Sequence, residues 1–185
     1  MGTMHDRLCD ELLILRCQEG SAEALDALVL RWHGRLLRFA RIRAGEDEAA
    51  ADITQDAWMA VVKSIHRLSD PSAFPSWAYR IVTNKCNDWL RRRRTERGVF
   101  DESCPSHPEA VSNGSPNESG AVELLEHALA TLDADDRSLV TLYYFDDLAV
   151  SQIGGIFGIP AGTVKSRLHR CRALLRRQLE ETPHE

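Results

Sequence analysis

Between Thr163 and Arg177 the chain carries Lys165, Arg167, Arg170, Arg172, Arg176 and Arg177, with no acidic residue among them. Hydroxyl, ammonium and guanidinium groups donate hydrogen bonds to phosphate oxygens and base edges, the chemistry of nucleic-acid recognition. A second basic concentration holds Arg80, Asn84, Lys85, Asn87 and the run Arg91-Arg92-Arg93-Arg94. A third group has the opposite sign. Glu48, Asp52 and Asp56 stand four apart, with Gln55 beside them, so a helix would present them on one face. Like charges at that spacing cost a helix a few tenths of a kcal/mol per pair, so the row does not help the isolated helix. It reads as a solvated face or as a surface for a basic partner. Catalysis finds less support: Asp52 and Asp56 lie on a regular helical pattern without a His or Lys cluster, which disfavours a nuclease or other enzyme.

The elements that must carry these groups are helical. Leu148 to Leu175 contains two short apolar stripes, Val150/Ile153/Phe157 and Val164/Leu168/Cys171/Leu175, separated by Gly158-Ile159-Pro160. The glycine can end the first helix in the left-handed region, and the proline suits the start of the second. This is a helix-turn-helix pattern, whose second helix enters the major groove with Thr163, Lys165, Ser166 and Arg167 on its leading turns. A basic helix alone reads as a solvated face; the preceding helix and the turn favour DNA.

Of the residues, 43% are hydrophobic and 28% charged, the balance of a soluble globular protein. The net charge of −5 is unequally spread. Positive charge gathers at 80–97 and 165–177, while Gly98–His127 holds Asp101, Glu102, Glu109, Glu118, Glu123 and Glu126 without Lys or Arg. Such segregation suits local phosphate contacts. No signal peptide and no apolar run near the ~20 residues of a membrane span is present, so a cytoplasmic location without membrane insertion is expected. The five cysteines have no C-x-x-C pairing and the seven histidines no H-E-x-x-H, so neither metal nor cofactor is expected.

In chain order, Leu8, Leu12, Leu13 and Leu15 suggest a short first helix, and Ser21 caps a second bearing Leu25, Leu28, Trp32, Leu36 and Phe39. Gly45 ends it. Ala50, Ile53, Ala57, Val61 and Ile65 give the buried stripe of a third, about 46–66. A turn-rich loop, Arg67 to Pro75, precedes a long helix over about 76–94 with Trp77, Ile81, Val82, Cys86, Trp89 and Leu90 as its apolar face. Pro, Gly, Ser and acids dissolve the pattern over 98–120, a flexible linker. Beyond it Val122, Leu125, Ala128 and Leu132 begin a helix. Asp133 caps another, with Leu139, Val140, Leu142, Tyr143 and Phe145 on its buried side. The expectation is an all-α chain. A bundle over 1–97 and a smaller one over 121–185 containing the helix-turn-helix are joined by the acidic linker.

Four stretches resemble the extracytoplasmic-function (ECF) sigma factors of bacterial RNA polymerase. They are Asp52-Ile-Thr-Gln-Asp-Ala-Trp-Met; Phe74-Pro-Ser-Trp-Ala-Tyr-Arg-Ile-Val-Thr-Asn with Asp88-Trp-Leu-Arg-Arg-Arg-Arg; Leu129-Ala-Thr-Leu-Asp-Ala-Asp-Asp-Arg; and Gly158-Ile-Pro-Ala-Gly-Thr-Val-Lys-Ser-Arg-Leu-His-Arg-Cys-Arg. The resemblance implies a transcription-initiation factor that binds core RNA polymerase, directs it to specific promoters and opens the −10 element. It implies that Asp52, Gln55 and Asp56 contact the polymerase. Phe74 and Asn84 would belong to a pocket for a flipped −10 base, with Arg80, Lys85, Arg91 and Arg92 holding phosphates. Thr163, Lys165, Ser166, Arg167 and Arg170 would read the −35 element. An anti-sigma protein is implied as a further partner. Two departures stand out: Ala149 occupies a position where the family often has a Ser cap, leaving Asp147 as the substitute. Gly154-Gly155 lies inside a helix at about 1 kcal/mol per glycine. The competing reading is a conventional helix-turn-helix regulator that binds duplex operator DNA without polymerase.

Overall fold

The first helices form where side chains satisfy their free ends. The computed structural model describes residues 4–96, 125 and 127–181, so the linker expected over 98–120 lies outside the described residues. Helix α1 (Met4–Gln18) is tied down at its end, where the Gln18 amide donates to the Ile65 carbonyl at 3.0 Å and the Leu68 carbonyl at 2.7 Å. Helix α2 (Ala22–Ala44) starts at Ser21, whose Oγ accepts from the Ala24 N–H at 3.2 Å. It stops at Gly45, which takes φ 76° and closes on the Arg41 carbonyl, the left-handed C-cap that glycine adopts without strain. Helix α3 (Asp47–Ser64) buries Ala50, Ile53, Ala57 and Val61, as their spacing requires, and tightens into the 3-10 turn Ile65–Arg67.

A second 3-10 turn, Pro71–Ala73, is capped by Asp70 and runs directly into α4 (Phe74–Glu96). The long helix therefore begins about two residues before the expected 76, and its buried face is rotated. Phe74, Ala78, Tyr79, Val82, Thr83 and Cys86 are buried, while Trp77, Ile81 and Trp89 are only partly covered. The rotation follows from aromatic packing. Trp32 meets Phe74 edge-on at 5.3 Å, and Phe39 meets Tyr79 at 4.9 Å, contacts worth about 0.5–1.5 kcal/mol each beyond burial.

In the C-terminal bundle, residues 127–130 are helical and Asp133 caps α5 (Ala134–Val140), accepting from the Asp136 N–H at 2.7 Å. The turn Thr141–Phe145 then widens into π geometry, with the Asp146 N–H on the Thr141 carbonyl. That extra residue per turn breaks the α-helical register. Leu139, Val140 and Leu142 stay buried as expected, but Phe145 swings out to 48% exposure. The expected burial of Phe145 is thereby corrected. Helices α6 (Val150–Phe157) and α7 (Ala161–Glu181) complete the helix-turn-helix, with Ile153, Val164, Leu168 and Cys171 as its core.

The two bundles do not stand apart. Helix α4 lies against α6 and the end of α2 against α5, so one continuous apolar core runs through both. Among the described residues there is no strand and no helix long and apolar enough to cross a membrane.

Candidate nucleic-acid interface

The turn between α6 and α7 is built on close backbone approach. Gly158 sits at φ 68°, and the N–H groups of Gly158 and Ile159 both close on the Gly154 carbonyl. A Cβ on Gly154 would stand 2.8 Å from the Ile159 carbonyl oxygen, whereas one on Gly155 would meet nothing within 4 Å. The first glycine is thus required by the turn, and the second is not. At the start of α6, Asp147 takes φ 52° and does not cap the helix. Gln152 does so instead, its side-chain oxygen accepting from the Ala149 N–H at 2.9 Å. The expectation that Asp147 replaces a missing Ser cap is corrected on that contact.

On α7, burial of Val164, Leu168 and Cys171 turns Thr163, Lys165 and Ser166 to solvent. The exposed face joins a hydroxyl, an ammonium and a second hydroxyl on the helix's first turns, the position from which such a helix reaches base edges. Arg167 and Arg170 are placed differently. Arg167 Nε donates to Asp136 Oδ1 at 2.6 Å, and Arg170 Nη2 pairs with Asp136 Oδ2. The Asp136 side chain is only 3% exposed. Burial pushes its carboxyl up, but hydrogen bonds from Arg170 and Arg167 outweigh this and hold it below the usual carboxylate range. These two arginines therefore brace α7 against α5 as well as facing outward, Arg170 more than Arg167.

The sequence reading missed Asp136 as an anchor because its position in a helix's first turn already explains an acid. It also missed Arg137, whose guanidinium donates to the carbonyls of Leu129, Ala130 and Leu132, each at 3.0 Å. No local pattern marks either residue. Farther along α7, Arg172 donates to the Tyr144 hydroxyl at 2.7 Å.

On α4, Arg80, Asn84, Arg91 and Arg92 are exposed, and Arg91 is paired to Asp88 at 2.8 Å. Phe74 is 0% exposed, edge-on to Trp32. It cannot touch a base in this arrangement, so its expected role in a base pocket is corrected to a core one that sets the start of α4. Lys85 Nζ lies 3.6 Å from Asp56 Oδ2. The acid row of α3 and the basic side of α4 thus share one cleft of about 540 Å³, lined by Asp52, Gln55, Asp56, Lys85, Trp89 and Arg92 among others. Arg93 spans its edge, stacked 4.9 Å over Trp89 and paired with Glu46. Among the described residues no His, Cys, Asp and Glu group could hold a metal ion.

The family model for sigma-70 region 2 matches residues 28–96, and the one for sigma-70 region 4 matches 123–184. The ECF RNA polymerase sigma factor SigM of Mycobacterium tuberculosis is 32% identical, with 96% of this chain and 88% of that protein aligned. The chain is an ECF sigma factor. SigW of Bacillus subtilis, another ECF sigma factor, is 28% identical over 91% of this chain and 95% of its own length. Among solved structures, the sigma factor RpoE bound to the anti-sigma factor NepR from Bartonella quintana superposes with a TM-score of 0.65. It is 26% identical to this sigma factor and covers 85% of this chain and 98% of its own. As a sigma factor, the protein binds core RNA polymerase, directs it to specific promoters and opens the −10 element.

Proposed function

We propose a division of labour within this sigma factor. Residues 1–97 grip core polymerase and the −10 element, 98–120 link the halves, and 121–185 read the −35 element. The observation that carries the second half of this reading is the free outer face of α7. Thr163, Lys165 and Ser166 are exposed while the opposite face is buried. Arg167 and Arg170 add positive charge beside them from their anchorage on Asp136. In the N-terminal half, Asn84 and Arg80 on the open side of α4 meet the −10 strand, with Arg91 and Arg92 on its phosphates. Lys85 contributes once its neighbour Asp56 is engaged elsewhere. Asp52, Gln55 and Asp56 present the acidic face to a basic surface of the polymerase.

Lys165→Ala is expected to weaken binding of a −35 duplex almost uniformly across sequences and to lower the salt slope by about 1, as loss of one phosphate contact does. Fluorescence anisotropy over a salt series measures this, and an unchanged slope removes Lys165 from the interface. Asp52→Ala is expected to reduce co-purification with core polymerase without altering which promoters are transcribed; altered promoter choice in a run-off assay would contradict the assignment. An operator bound tightly in the absence of polymerase would instead favour the conventional regulator. The polymerase partner puts the working location in the cytoplasm. An anti-sigma protein, such as the one bound to the Bartonella relative, is the proposed restraint, and the protein's role is binding rather than catalysis.

A further inference from the structure

Two arginines one turn apart on α7 share a carboxylate and point differently. Arg167 is turned inward: Nε donates to Asp136 Oδ1 at 2.6 Å, Nη2 lies 3.7 Å from Asp133 Oδ1, and the side chain is 24% exposed. Arg170 pairs with Asp136 Oδ2 through Nη2 and keeps its side chain 60% exposed. Position along the helix separates them as well. Thr163, Ser166 and Arg170 are spaced by three and four, so they form one stripe on the exposed side of α7. Arg167 instead flanks the buried stripe of Val164, Leu168 and Cys171. The guanidinium in line with the leading hydroxyls is therefore that of Arg170.

Asp136 is placed to hold a direction. Its side chain is 3% exposed, and its own N–H is tied to the Asp133 carboxylate at 2.7 Å in the capped first turn of α5. Burial opposes its charge, but the hydrogen bonds from Arg170 and Arg167 overcome that and keep it ionised at neutral pH. A surface arginine without such a partner moves among rotamers and settles on whichever phosphate is near. Fixing it has two effects. A guanidinium held in place presents its free N–H edge as a fork, the geometry that matches guanine O6 and N7. The buried anion also offsets one positive charge, so α7 gains less from the phosphates of any sequence. Anchoring thus lowers general affinity and raises discrimination. We propose that Asp136, which touches no DNA, is the specificity-determining positioning residue of the −35 reader: it aims Arg170 at one guanine, while Arg167 serves as a brace between α5 and α7. This role rests on the assignment of α7 to the −35 element proposed above.

Holoenzyme formed from the full chain and core polymerase, bound to promoter duplexes randomised across the −35 element, tests this role. Urea midpoints and far-UV circular dichroism are the folding controls. Wild type is expected to prefer guanine at one position by roughly 5- to 100-fold, the range of a bidentate contact. Asp136→Asn keeps the shape of the side chain and removes its charge. It is expected to reduce that preference to within about threefold, to bind mismatched duplexes more tightly at low salt, and to steepen the salt slope by about 1. A purely structural anchor would weaken every sequence without steepening the slope. That result, or an intact guanine preference in Asp136→Asn, overturns the proposal. Two further variants decide the matter should Asp136→Asn not fold. Arg170→Lys retains the charge without the fork and is expected to lose the guanine preference at an unchanged salt slope. Arg167→Gln is expected to lower the urea midpoint and weaken all duplexes alike, with the preference retained because Asp136 still holds Arg170. Retention of the preference in Arg170→Lys, or its loss in a folded Arg167→Gln, overturns the assignment of Arg170 as the reader. A wild-type holoenzyme without preference at any −35 position refutes the −35 role of α7 itself, whereas the other adverse results refute only the part given to Asp136 and Arg170.

Discussion

Replacing Asp136 with alanine is expected to destabilise the chain by about 2–3 kcal/mol, read as a lower midpoint in urea. The carboxylate is buried and accepts from both Arg167 and Arg170. Removing one member of a fully buried pair costs about 3–5 kcal/mol, because the remaining charge is left without a partner. Arg170 is largely exposed and Arg167 partly so, so water compensates some of that loss and the figure is discounted accordingly. Two further results follow from the same contacts. Arg167→Ala should lower stability as well as −35 binding, whereas Lys165→Ala should lower binding alone. The pH dependence has a definite sign: the Asp136 carboxyl lies below its ordinary range in the folded protein. Its contribution is complete above the ordinary carboxylate pKa of ~3.9 and is lost as pH falls through the lowered value. In Asp136→Ala the acid limb of the stability curve should flatten. A midpoint within error of wild type would show that the two arginines need no anchor.

Gly154→Ala is expected to destabilise by about 1–3 kcal/mol, the usual cost of forcing an atom into filled space, and to weaken −35 binding by displacing the start of α7. Its Cβ would meet the Ile159 carbonyl oxygen, a backbone atom that cannot rotate away. The adjacent change should have the opposite sign. Gly155→Ala adds a methyl group into open space and should stabilise by roughly 0.5–1 kcal/mol through helix propensity. Thermal unfolding of the pair separates the two effects. If both variants were stabilised, the turn would have slack that its geometry denies.

Much of the fold was legible in the residues because helix formation is a local matter. The stripe Leu28/Trp32/Leu36/Phe39, the Ser21 cap and the Gly45 stop are all readable within a few positions of one another, and each recurs in the structure. The stripe Val164/Leu168/Cys171 likewise determines which side of α7 faces outward, and so leaves Thr163, Lys165 and Ser166 available. Phe145 escaped that reading because a single widened turn shifts the register, and no residue type marks such a turn.

Partnerships across the chain were decided only by the tertiary structure. Arg167 looks the same in sequence whether it reaches DNA or Asp136, since the two lie 31 positions apart and nothing local couples them. Phe74 reads equally as a base contact or a core ring until Trp32 is seen against it. Gly154 looks like a weak point in a helix until Ile159 folds back over it. The sequence by itself determined the helices, their apolar faces and the charge carried by each exposed side, because 3.6-residue periodicity and capping act within a turn or two. Which charges are bound inward, and that Arg43 of one bundle pairs with Asp135 of the other, were decided by packing, because contacts between distant segments leave no periodic trace along the chain.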